Sequence, residues 1–303
     1  MKNVNVSSKT ALQKPTGAAH FLKYGVLAPL VIWLFLFLIF PYLNLLLYSL
    51  WKNGPFAVIH EFTIASYKKF FTPGSGTNAP GILLNTLRIA LMVTVISVFI
   101  SFPLAYFINF KVKRYKQTFY MLAIVPLWIS YVMRAYSWRI ILGTNGMLNS
   151  FLLWTGLINK PSSVFLFSDI SVIIAMVHIY TPFVLMPMYS AMEQIPLNLI
   201  EASKDLGRGS LMTFLKIVFP LSLPGVITGA TYAFSLSMGD YLAPSLLGGP
   251  TSSTKIANIV QLQFGTSNNW PYGAAIGVII LALVLVILFT TGRLEKHFSK
   301  LER

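Results

Sequence analysis

Val31-Ile32-Trp33-Leu34-Phe35-Leu36-Phe37-Leu38-Ile39-Phe40 is an unbroken apolar run, and no formal charge interrupts the chain between Lys23 and Lys52. A helix on the surface of a soluble protein hides one stripe and keeps a polar face for water. This run has no polar face. A helix crossing about 30 Å of hydrocarbon needs roughly 20 apolar residues, and the window is long enough. The same holds between Arg88 and Lys111 and between Asp169 and Glu193. The first block, residues 25–50, exceeds the roughly 7–15-residue core of a cleaved signal, and no small-x-small site follows it. It reads as a retained anchor.

Composition agrees. The 303 residues are 55% hydrophobic and 10% charged, against about 25% charged for a soluble domain. Mean hydropathy is +0.70. The pattern predicts an all-α integral membrane protein of about six spans, near 23–50, 82–110, 117–141, 170–192, 221–241 and 273–292. Arg134 and Arg139 interrupt the third. A charge at mid-bilayer costs about 2.5–3.5 kcal/mol on insertion scales, so its hydrocarbon part is expected to end near Met133, with the arginines at the far interface.

A net charge of +15 could suggest a nucleic-acid partner, but the basic residues sit in short clusters between apolar blocks, which is how membrane topology is written. With the N-terminus inside, the inner segments hold 15 of the 23 lysines and arginines. They include Lys111, Lys113, Arg114 and Lys116 before the third span, and Lys204, Arg208 and Lys216 before the fifth. The positive-inside rule then puts both termini in the cytoplasm. Trp51, Trp138, Trp154, Trp270 and Tyr272 fall near outer interfaces, where amphipathic rings belong.

One membrane domain, 23–292, lies between a tail of 1–22 and a tail of 293–303. Between its spans, residues 73–77 form part of a turn-rich run, 147–158 reads as a surface or re-entrant helix too short to span, and Leu246-Leu247-Gly248-Gly249-Pro250 is a sharp turn. Pro103, Pro126, Pro182, Pro187 and Pro224 lie inside spans. Each removes a backbone hydrogen bond, either shaping the bundle or lining a moving pathway.

The loop between the fourth and fifth spans, about 193–220, carries Asn198-Leu199-Ile200-Glu201-Ala202-Ser203-Lys204-Asp205-Leu206-Gly207. Asn198 and Glu201 have capping-box spacing, and Gly207 suits the left-handed residue that ends a helix. Glu201 and Asp205 fall one turn apart, beside Ala202 and Leu206. A second helix is expected from Ser210, with Leu211, Phe214, Leu215 and Val218 on one face, before Pro220 and Pro224-Gly225 turn the chain into the fifth span. From the residues alone this is either a plain loop or a docking knob for a partner.

Glu201-Ala202-Ser203-Lys204-Asp205-Leu206-Gly207, then Phe214, Ile217-Val218-Phe219-Pro220 and Pro224-Gly225, closely resembles the Glu-Ala-Ala loop of binding-protein-dependent ABC importer permeases. Ser203 stands where that family has a second alanine, and Phe219 where leucine is frequent. Asn85-Thr86-Leu87, Gly239-Asp240-Tyr241-x-x-Pro244 and Leu246 to Pro250 resemble the spermidine/putrescine-type subfamily, and within it the first of two paired permeases. The resemblance implies a type I importer bundle whose loop is a coupling helix, with Glu201, Ala202, Ser203, Asp205, Leu206, Gly207, Phe214 and Pro220 as coupling residues. It implies a cytoplasmic ATPase dimer as the holder of ATP and magnesium, a second homologous permease, and an extracytoplasmic solute-binding protein. It places the chain in the bacterial inner membrane. Relatives carry other small solutes, such as amino acids, metals or anions.

The chain has no Gly-x-x-x-x-Gly-Lys phosphate loop, so it is not expected to hydrolyse ATP itself. His20, His60, His178 and His297 are scattered without metal-ligand spacing, and there is no cysteine. No cofactor, metal or enzymatic activity is expected in this chain. Asp240 is the one acid inside an expected span, a functional candidate by default in a membrane. It could attract a polyamine cation, with Tyr241, Tyr232 and Trp128 as cation–π faces; a bond to Arg134, Arg139 or a backbone amide is the other reading. An ATPase-independent secondary transporter or a channel would leave the docking loop without a purpose.

Overall fold

A computed structural model describes residues 27–55, 57–72, 78–249 and 254–299. The 1–22 tail, the turn-rich 73–77 and part of the last tail lie outside those residues. The apolar run opens α1, Leu27–Ser49, which takes one π turn at Phe35–Ile39 just before Pro41. A two-residue hairpin follows, β1 (Lys52–Asn53) and β2 (Val58–Ile59), then the short α2, Ala65–Phe71. Span α3 runs Ala79–Lys111. Next come α4 (Lys116–Trp128), α5 (Tyr131–Leu142) and α6 (Met147–Trp154). Span α7 is Asp169–Glu193, α8 is Leu197–Asp205, and α9 is Ser210–Gly239. The chain ends with α10 (Leu242–Leu247), α11 (Ile256–Phe264) and α12 (Trp270–Ser299).

Helix α7 is the axis of the bundle. It packs against α3 and α9, and these pack on each other, while α12 leans on α9 and α1 on α12. Val172, Ile179, Leu185 and Met188 of α7 are fully buried, as are Val93 of α3 and Ala233 of α9. Gly225 and Gly229 set the α7–α9 approach. A Cβ at Gly225 would stand 2.6 Å from the Pro187 carbonyl oxygen, and one at Gly229 2.8 Å from that of Val184. Close backbone contact through small residues is how helices associate where lipid offers no hydrophobic drive. The periphery is the opposite: Leu30, Phe37, Leu84, Phe99 and Phe289 are exposed. Apolar surface on that scale needs lipid or protein against it.

Three sequence expectations change. The third span is not one helix: α4 and the α5–α6 segment meet at 88° across Ile129-Ser130. Pro126 sits in a tight 3-10 turn, Val125–Trp128, just before the break. Arg134 consequently points inward and is buried, its Nη1 donating to the Ile179 carbonyl of α7 at 3.2 Å. A desolvated guanidinium needs such an acceptor, and position in the span gave no hint of it. The fifth span starts at Ser210, not after a proline turn, because a π turn at Phe214–Val218 carries the helix through Pro220. Lastly, Pro196, extended at φ −64°, ψ 128°, starts α8. Asn198 therefore falls inside the helix, and no side chain caps it.

Candidate functional site

The loop that precedes α9 and the joint at its other end form the two candidate sites. Helix α8 ends as its glycine requires. Gly207 takes φ +78°, its N–H donates to Lys204 O at 2.8 Å, and Arg208 N–H donates to Ser203 O at 3.1 Å. This pair of bonds is a Schellman motif, which satisfies the last carbonyls of the helix without outside help. Glu201, Ala202, Asp205, Leu206 and Gly207 are all exposed. A Cβ at Gly207 would meet nothing within 4 Å, so the glycine is required by its backbone angle, with open space around it.

Ser203 behaves differently from its neighbours. It is buried and shares a 3.0 Å hydrogen bond with Thr213 at the start of α9. It clamps α8 to α9 instead of projecting with Glu201. Phe214 is half-buried, packed edge-on to Phe102 and Tyr106 of α3 with ring centres 5.8 and 5.4 Å apart. Pro220 is exposed on α9. The loop is thus tied to the span core on its inner side and bare on its outer side.

Asp240 caps the other end of α9. Its carboxylate is 8% exposed and accepts four hydrogen bonds. Leu242 and Ala243 N–H donate to Oδ1 at 2.9 and 3.2 Å, Tyr180 Oη to Oδ2 at 2.8 Å, and Tyr131 Oη to Oδ2. Among the described residues its partners are thus the amides that start α10 together with two tyrosines, and no arginine. Tyr131 opens α5 immediately after the 88° break, and Tyr180 lies mid-α7. One carboxylate therefore joins two chain breaks to the central helix. Trp128, Tyr232 and Tyr241 are exposed. Trp128 adjoins the break and Tyr241 the joint, whereas Tyr232 lies about 12 Å down α9 by helical rise. The four do not converge on a single contact.

Sequence reasoning missed Tyr131, which follows the Pro126 turn, and Tyr180, which lies two residues before Pro182; nearness to a proline was their only signal. It also missed Lys255, a buried lysine that starts α11 and pairs with Asp169 Oδ1 at 3.0 Å. Burial pushes the Lys255 ammonium below its usual range, and Asp169 partly restores it. Among the described residues, no cluster of histidines and carboxylates could hold a metal.

The family model described as "Binding-protein-dependent transport system inner membrane component" matches residues 97–300. The chain is 33% identical over 281 residues to the spermidine/putrescine transport system permease protein PotB of Escherichia coli, covering 91% of this chain and all of that protein. It is 30% identical to PotB of Haemophilus influenzae over 88% of this chain and 92% of that one. In fold it is similar to a chain from the crystal structure of a bacterial ABC transporter that imports the acidic polysaccharide alginate. The TM-score there is 0.76 at 18% identity, over 92% of this chain and 96% of that one. The family match covers two thirds of the chain and the relatives nearly all of it, and the chain belongs to the family of binding-protein-dependent transport system inner membrane components.

Proposed function

We propose that this chain is one of two paired permeases of an ATP-driven importer, carrying spermidine or putrescine inward by alternating access. The observation that supports the solute is the 33% identity to a polyamine permease along 91% of the chain. A cytoplasmic ATPase dimer, holding ATP and magnesium, would receive the outer surface of α8, with Glu201, Asp205, Leu206 and Gly207 in the contact. Ser203, Phe214 and Pro220 would pass the movement on to α9. A second homologous permease would complete the pathway, and a solute-binding protein would deliver to the opposite face. The positive-inside rule supports a cytoplasmic position for the lysine-rich end of the bundle, with both termini there. Trp128, Tyr232 and Tyr241 are the faces offered to a polyamine cation, and Asp240 holds the joint between them.

Uptake of labelled spermidine and putrescine by cells lacking their own polyamine importers tests this, with the chain supplied alongside the second permease, the ATPase and the binding protein proposed for it. Vanadate-sensitive uptake of either polyamine is the expected result. Uptake of an amino acid or an anion instead would sink the solute assignment, and uptake indifferent to vanadate would sink the ATPase.

A further inference from the structure

The end of the bundle that carries α8 holds a cleft of about 640 Å³ between the last turn of α3, the α3–α4 turn and the α8–α9 hairpin. Lys111, Lys113 and Lys116 line it from one chain segment and Lys204 from another. Among the described residues none of the four has a carboxylate within ion-pair distance, although Glu201 also lines the cleft. The turn that presents the first three is sharply folded, with Tyr115 left-handed at φ 65° and the Arg114 guanidinium 5.1 Å from its ring.

The rest of the wall is largely apolar, including Phe110, Leu197 and Phe214. Asn109 lines the cleft as well. Its Nδ2 donates to the carbonyls of Ala105 and Tyr189 at 3.1 and 3.2 Å, while its buried Oδ1 has no partner. The apolar span α3 ends at Lys111, so the cleft sits where hydrocarbon gives way to headgroups. Lysines that only mark topology need not converge. These four, from segments far apart in sequence, face one cavity.

We propose that the cleft binds the headgroup of an anionic phospholipid, with the lysines on the phosphodiester and the acyl chains along the apolar wall. Basic pockets between spans on the cytoplasmic side are a recurrent form of lipid recognition. A soluble phosphate would answer the lysines and leave the apolar wall uncovered. The proposal is independent of which solute is carried.

Native mass spectrometry of the full-length chain, released from micelles containing phosphatidylglycerol and phosphatidylcholine of equal chain length, tests it. The expected result is retained phosphatidylglycerol, weakened roughly fivefold for each lysine neutralised in the series Lys111→Gln, Lys113→Gln, Lys116→Gln and Lys204→Gln. The four-arginine counterpart should keep the lipid, and circular dichroism should show both variants folded. Equal retention of the two lipids, or undiminished phosphatidylglycerol in the four-glutamine variant, would overturn the site. Displacement by inorganic phosphate would assign the cleft to a soluble anion, and displacement by the docked ATPase would assign it to a protein interface; either result overturns the lipid.

Discussion

The two ends of α9 treat charge in opposite ways. At the loop end, the Schellman bonds of Gly207 satisfy the backbone internally and leave Glu201, Asp205 and Leu206 facing out. At the joint end, four donors absorb the Asp240 carboxylate and leave it nothing to offer. A carboxylate inside a membrane reads as functional by default, yet here internal donors make it a joint. Exposed side chains on a rigid, self-satisfied backbone mark a surface that waits for something else. Function is therefore easier to break at the loop, and folding at the joint.

The largest effect is expected from Gly207→Asp. The left-handed angle costs a non-glycine residue about 1–2 kcal/mol, and no atom obstructs the new side chain. The protein should therefore insert normally, while uptake falls to background because a carboxylate now stands on the face proposed to dock the ATPase. Gly207→Asn has nearly the same shape, and asparagine tolerates that backbone, so it should retain a substantial share of uptake. Equal loss in both variants would move the cause from the surface to the backbone.

On the folding side, the Asp169–Lys255 pair predicts an asymmetry. Lys255 is 1% exposed and Asp169 34%. Asp169→Asn strands a buried cation, at a cost of about 3–5 kcal/mol. Lys255→Met leaves an acid that water reaches, at a cost of about 1 kcal/mol or less. Thermal unfolding in detergent should rank them so. With Asp169 gone, burial alone acts on Lys255 and keeps its folded pKa below the unfolded value. The folded state then binds fewer protons, so stability rises as pH climbs from the folded pKa toward the unfolded one. The Asp169→Asn variant should therefore recover in alkali. Equal melting of the two variants at neutral pH would mean that Lys255 is hydrated.

Asp240→Asn should be milder, at about 2 kcal/mol. The carboxamide oxygen still accepts from the Leu242 and Ala243 amides, while its NH2 meets two tyrosine oxygens that can accept. Maximal uptake should drop with the half-saturating solute concentration unchanged. A raised half-saturation with an intact melting transition would return Asp240 to direct solute contact.

Most of this architecture could be read from charge-free windows, because length and hydropathy are local properties. The Gly207 end of α8 was legible for the same reason: a left-handed residue has a composition signature. What escaped the sequence was long-range. Tyr180 and Tyr189 both lie on α7, yet only Tyr180 reaches Asp240, 60 residues away. The 88° break had a cue in Pro126, but a proline inside an apolar run does not say whether the helix bends or stops. Asn198 had the right spacing for a cap and lost it to Pro196, whose ring already fixed the start of the helix.

Ser203 is the smallest expected effect and the sharpest test of the comparison, since it belongs to the outward loop in sequence and to the inner clamp in structure. Ser203→Ala removes one hydroxyl from a buried pair and leaves Thr213 without that partner. The cost is about 1 kcal/mol, felt as faster amide exchange over residues 203–213. Uptake should stay within about twofold of normal, since alanine preserves the outer surface and a change of that size leaves the loop mostly formed. If uptake instead collapsed while exchange over 203–213 stayed unchanged, Ser203 would have to act on the partner directly. The line drawn here between clamping and docking residues would then fall on the wrong side of it.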